Sequence, residues 1–197
     1  VADLHSSLPA VLAGLRSPDG QEQPRVAYIM TDGGALPLAY SRVVATLSRA
    51  GWLAGTITAG QAWGGDIEAV SVHNALLAAR HVLRADAAVV IQGPGNLGTE
   101  TPWGFSGVAC GDAINAIATL GGHPVACLRV SDADPRARHR GVSHHSMTAY
   151  GRVALAGADV VVPGLEGPLG VQVRREAEAL CAPRPGAGQH RLVEVPA

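Results

Sequence analysis

Val26-Ala27-Tyr28-Ile29-Met30, running into Thr31-Asp32-Gly33-Gly34, is the stretch that decides the fold: an apolar β-type run that stops in a glycine turn. A strand without polar alternation is what a parallel sheet covered on both faces by helices requires. Comparable runs occur at 55–58, 87–92, 125–130, 158–162 and 191–195. Between them lie segments of helical character at 36–50, 66–84, 106–120, a short one at 147–155, and 169–180. A further amphipathic helix over 4–16 requires Pro9 to fall in its first turns. The expected architecture is α/β: a three-layer α/β/α sandwich on a mostly parallel, doubly wound, Rossmann-like sheet of about five to six strands.

With 47% hydrophobic and 16% charged residues, the 197-residue chain can bury one ample core, so a single domain over 1–197 is expected. Fifteen basic against sixteen acidic side chains remove the electrostatic footprint of a nucleic-acid binder. Cys110, Cys127 and Cys181 form no CxxC pair, which argues against a disulfide framework or a thiolate zinc site and suits a reducing cytoplasm. No apolar run approaches the roughly 20 residues of a membrane span, so no membrane partner is expected. A chain opening on Val1 without a Met reads as a fragment of a longer one that lacks an N-terminal region.

In an open parallel sheet, loops after neighbouring strands share one crevice. Four loops are candidates for it. The first supplies Asp32, Gly33 and Gly34, and the second Gly64, Gly65 and Asp66. The third supplies Gly93, Gly95, Asn96, Gly98, Thr99 and Glu100, and the fourth is the histidine-bearing stretch 131–146. Gly93-x-Gly95-x-x-Gly98 matches a dinucleotide fingerprint, but Thr101-Pro102-Trp103-Gly104-Phe105 delays the helix to about Ser106. The acidic residue expected about 20 positions on is also missing, which argues against NAD or FAD. Glycine-rich backbone can still cradle a phosphate or carboxylate.

The fourth loop packs Asp132, Asp134, Arg136, Arg138, His139, Arg140, Ser143, His144 and His145 into fourteen positions. Histidines titrate or ligate metals, and arginines clamp oxyanions. Adjacent histidines on a helix rarely point the same way, so His144 and His145 are not expected to face one ion, and the metal question stays open, a divalent ion being one candidate. The plain alternative is a solvated arginine face with Ser143 capping the next helix. Asp32 and Asp66 read as residues at helix starts, where the helix dipole stabilises a carboxylate. Cys110, in the first turns of a helix, sits where a thiol pKa falls, but no histidine partner is identifiable.

The chain resembles an uncharacterised bacterial family catalogued as domain of unknown function 3866. The resemblance rests on Tyr28-Ile29-Met30-Thr31-Asp32-Gly33-Gly34-Ala35-Leu36-Pro37, Thr58-Ala59-Gly60-Gln61-Ala62-Trp63-Gly64-Gly65-Asp66, Gln92-Gly93-Pro94-Gly95-Asn96-Leu97-Gly98-Thr99 and His139-Arg140-Gly141-Val142-Ser143-His144-His145. It spans about 4–163 and implies no activity, cofactor or catalytic residue. Members resembling this chain are longer at both ends.

The residues themselves point to an enzyme binding a small anionic or phosphorylated metabolite, with hydrolysis or group transfer favoured over redox chemistry. Asp32, Asp66, Glu100, His139 and His144 are the candidate acids, bases or metal ligands. Gly33, Gly34, Gly64, Gly65, Gly93, Gly95, Asn96, Gly98, Thr99, Arg140 and His145 are the candidate ligand contacts. The alternative is a non-catalytic metabolite sensor or homo-oligomeric scaffold whose helix at 106–120 packs on another subunit.

Overall fold

A computed structural model describes residues 1–18 and 21–196, which form two compact units. One is Leu4–Leu97; the other joins Val1–Asp3 to the chain from Gly98 onward.

In the Leu4–Leu97 unit, α1 (Leu8–Leu15) carries Pro9 in its first turn, where the missing N–H costs nothing, and buries Leu8 and Leu12. Strands β1 (Val26–Thr31), β2 (Gly55–Ala59), β3 (Ile67–Ala69) and β4 (Ala87–Gln92) form one parallel sheet in the order β3-β2-β1-β4. Every residue of the central strand β1 is buried, as its unbroken apolar run requires. Helix α2 (Arg42–Arg49) begins only after Ser41, whose side chain accepts the Val44 N–H at 3.0 Å, so residues 36–41 are not the helix expected there. Helix α3 (Val72–His81) likewise starts at the Ser71 cap rather than at Asp66. The apolar stripe over 66–84 therefore spans two elements, and its first residues extend as β3 against the edge of β2.

The second unit contains α4 (Ala109–Thr119), entered through a 3-10 turn at Ser106–Val108, then β5 (Val125–Cys127). The strand expected over 125–130 breaks after Cys127. Arg129 N–H donates to Ser146 Oγ at 3.0 Å and Arg129 carbonyl accepts from Ser143 N–H at 2.8 Å, so the backbone leaves the sheet to hold the histidine segment. Beyond the break, β6 (Val130–Ser131) pairs antiparallel with β7 (Gly141–Val142). Helix α5 (His144–Thr148) continues as a π turn through Ala149–Val153. Strands β8 (Asp159–Pro163) and β9 (Arg191–Val195), with α6 (Gly167–Cys181) between them, complete a parallel sheet in the order β5-β8-β9.

The α/β architecture with helix-flanked parallel strands is as the apolar runs indicate. The difference lies in partnership: hydrogen bonds divide the strands among a four-stranded sheet, a three-stranded sheet and the two-stranded β6-β7 pair, and no fifth strand joins β3-β2-β1-β4 among the described residues. In the second unit Val173, Ala177 and Leu180 of α6 join Val160 and Val162 of β8 and Cys110 and Ile114 of α4 in one core. Among the described residues, no helix is long and apolar enough to cross a membrane.

Candidate functional site

In the Leu4–Leu97 unit, parallel pairing brings the carboxyl ends of β2, β1 and β4 side by side. Asp32, Gly33 and Gly34 follow β1, and Gly93, Gly95 and Asn96 follow β4. Asp32 caps no helix. Its Oδ2 accepts the Gln61 N–H at 3.3 Å, and at Gly60, whose φ is +68°, a side chain would run into that carboxylate. Asp66 is also not a helix cap. Its Oδ2 accepts the Thr56 N–H at 2.8 Å and the Thr56 hydroxyl at 2.9 Å, tying the entry of β3 to the start of β2 rather than to its carboxyl end. Gly64 N–H goes to Glu68 Oε1 at 3.0 Å and Gly65 N–H to Thr58 Oγ1 at 3.3 Å. The backbone donors that glycine turns offer an anion are here used to close the turn.

Gly98, Thr99 and Glu100 belong to the second unit. There Gly98 bridges to Phe105, Thr99 N–H donates to Gly104 carbonyl at 2.7 Å, and Thr99 and Thr101 hydroxyls meet at 3.0 Å. Thr99 is thus committed to closing a loop, and that loop delivers Phe105.

The same unit gathers His139, His144 and His145. A 3-10 turn, Ala137–His139, carries His139 to 1% exposure. Ser143 caps α5 by accepting the His145 N–H at 3.2 Å, which sets His144 and His145 in the first turn. Ser143 Oγ also lies 2.7 Å from His139 Nδ1, so one hydroxyl fixes both arms of the cluster. Ring centroids are 4.9 Å apart for His139–His144, 4.9 Å for His139–His145 and 4.4 Å for His144–His145. One nitrogen from each of the three rings lies within 4.8 Å of the others. His144 and His145, not expected to face one ion, stand side by side, with His139 packed against both from a separate turn and the His145 ring held flat on Phe105.

Around the imidazoles stand Arg129, Arg136 and Arg138 against Asp134, Glu100 and Asp3. Arg136 grips Asp134 through a fork at 3.0 and 2.9 Å, and Arg129 adds a third bond at 3.1 Å. Hydrogen bonds from Arg136 hold the Asp134 carboxyl well below the usual carboxylate range. Asp3 Oδ2 stands 3.4 Å from His145 Nδ1, and Arg138 reaches Glu100 at 3.5 Å. Burial, then the charges of Arg129 and Arg136, pushes His139 down to about 4. Burial followed by its neighbour His145 and then Arg138 lowers His144. Both rings are therefore neutral at physiological pH.

A cleft of about 340 Å³ opens beside this cluster, lined by Glu100, Pro102, Arg138, His144, Met147, Thr148 and Arg152. Two nitrogens here are buried without a hydrogen-bond partner, Nε of Arg138 and Nε2 of His144. Each such group costs about 1–3 kcal/mol, a cost that a polar ligand offsets. Sequence reasoning placed Arg140 here, but its Nε donates to the Asp134 carbonyl at 3.0 Å and the residue is exposed. Arg138 and Arg152, which line the cleft, were not among the expected ligand contacts. Arg138 lies two positions from Arg140 and one from His139, so only the backbone turn distinguishes them; Arg152, in the π turn after α5, carries no sequence signal. The Cys110 thiol is buried, and burial pushes it up to about 12, the reverse of the shift that a helix start gives.

No curated protein and no solved structure matches the chain. A family model described as protein of unknown function (DUF3866) matches residues 1–195, covering all the motifs quoted above, and the chain belongs to that family.

Proposed function

We propose that the protein is an enzyme that binds a small anionic or phosphorylated molecule in the cleft lined by Arg138, Arg152 and His144 and acts on it by hydrolysis or group transfer. The observation that carries this reading is the pair of buried, unpartnered nitrogens, Arg138 Nε and His144 Nε2, on one cleft. A guanidinium with a free N–H recognises an oxyanion through directed hydrogen bonds. Arg152, its guanidinium 5.9 Å from the Trp103 ring centre, adds a second cation. The exposed Glu100 carboxylate stands at the same cleft, where it can take a proton from water or a hydroxyl and return that proton to the leaving group.

At the β1 and β4 carboxyl ends of the other unit, by contrast, the Asp32 carboxylate and the closed Gly60–Gln61 turn offer an anion less. Cys110 and Ile114 of α4 pack into their own core, so the scaffold alternative loses part of the helix face it relied on. The test is a titration with inorganic phosphate and simple phosphomonoesters, read by calorimetry and product release. Wild type binds and turns over a phosphomonoester. Arg138→Ala loses about tenfold or more in affinity while its circular dichroism is unchanged, and His144→Ala loses turnover. Binding that is the same in Arg138→Ala and Arg152→Ala as in wild type rejects this cleft.

A further inference from the structure

We propose that His139, His144 and His145 together bind one divalent transition-metal ion of the zinc class, each through one ring nitrogen. The inference deepens the anion-cleft reading, because His144 lines that cleft, and it stands on its own geometry.

Three imidazoles come within ligating reach of one point. Their nitrogens lie within 4.8 Å of one another, and no other group of three potential ligands meets that condition among the described residues. A tetrahedral zinc ion with bonds of about 2.0–2.1 Å sets its nitrogens about 3.4 Å apart. The separations exceed that spacing by up to about 1.4 Å, the distance that rotation of the imidazoles has to close.

His139 is held as a ligating histidine is held, by a hydroxyl partner on one ring nitrogen, and His145 has a carboxylate close by. Ser143 Oγ faces His139 Nδ1 at 2.7 Å, and the Asp3 carboxylate faces His145 Nδ1 at 3.4 Å. His144 Nε2 is buried with no hydrogen-bond partner. Phe105, stacked on His145, covers one side of the set.

The donor set selects the ion. Three neutral nitrogens with no thiolate suit Zn²⁺, Cu²⁺, Ni²⁺ or Co²⁺, whereas Mg²⁺ and Ca²⁺ want oxygens. The arginines near the rings are themselves paired, Arg129 and Arg136 with Asp134 and Arg138 with Glu100, and the Asp3 carboxylate stands beside His145. Three protein ligands leave a fourth position open, as in catalytic rather than structural zinc sites. That position gives an anion in the cleft, or a water, a place on the ion.

The experiment uses the full chain, treated with a chelator and then titrated with Zn²⁺ against a chromophoric competitor, and separately with Co²⁺. One zinc ion binds per chain and Mg²⁺ does not compete. Co²⁺ gives the visible absorption of a tetrahedral or five-coordinate nitrogen site. His144→Ala and His145→Ala, folded by circular dichroism, each weaken zinc by about 100-fold or more and abolish the cobalt spectrum. Because His139 is fully buried, His139→Gln is read only alongside these two. No zinc uptake, or equal affinity in His144→Ala, His145→Ala and wild type, overturns the inference. Phosphate titration of the chelated protein reads the anion cleft separately. Zinc failing while phosphate binds overturns the metal site and spares the cleft; phosphate failing while zinc binds does the reverse.

Discussion

The imidazole of His145 lies on the ring of Phe105 with centroids 3.9 Å apart and planes only 3° from parallel. Phe105 is brought there by a loop that its own bonds close, from the Gly98–Phe105 bridge to the Thr101 hydroxyl that accepts the Gly104 N–H at 3.0 Å. Phe105→Leu keeps an apolar side chain but removes the flat face. The expected outcome is a loss of about 1–2 kcal/mol in a denaturant titration, together with about tenfold weaker zinc binding. Unaltered zinc affinity would mean that the stack does not orient His145.

His190 gives the second unit a dependence on pH. Its Nδ1 accepts the Ala158 N–H at 3.1 Å while Nε2–H donates to the Tyr150 carbonyl at 2.9 Å, an arrangement only the neutral ring can make. Burial lowers its pKa from the ordinary value, and the Arg184 guanidinium at 3.2 Å opposes a second positive charge. In the unfolded chain the ring protonates near about 6.5. Below that value the unfolded state binds more protons than the folded one, so His190 contributes fully above about pH 6.5 and its contribution is lost as pH falls. Urea midpoints measured between pH 8 and 5 should fall more steeply for wild type than for His190→Gln; parallel curves would reject the assignment.

Asp66 ties the entry of β3 to β2. It answers both the backbone N–H and the hydroxyl of Thr56, and Thr56 Oγ1 in turn accepts the Asp66 N–H at 3.1 Å. Asp66→Ala leaves the Thr56 donor without its acceptor and should cost about 1–3 kcal/mol, visible as a lower urea midpoint. Stability equal to that of wild type would return Asp66 to the list of functional candidates.

Gly111 marks where α4 meets the π turn after α5. A Cβ there would strike the Ala149 carbonyl and the Val153 side chain, and carbonyl backbone cannot rotate away. Gly111→Ala should lose about 3 kcal/mol or more, against a small gain for the same change at an open helical position. A melting temperature within a degree of wild type would show that the two segments can separate without cost.

The parallel α/β character was legible because a strand buried on both faces writes an unbroken apolar run, as β1 and β4 do. Ser143 was legible as a cap because its hydroxyl acts on a neighbour in sequence. Family membership was legible because long motifs survive intact in one dimension. Strand β3 was not legible: three edge residues carry too little pattern to interrupt a helical stripe, and only pairing with Ile57, Thr58 and Ala59 extends them. The division of the strands into three sheets, the commitment of Asp32, Asp66 and Thr99 to closing turns, and the meeting of His139 with His144 and His145 were all decided by tertiary structure. Each depends on which distant backbone group accepts a hydrogen bond or which ring lies beneath another, and local sequence chemistry does not encode such partners.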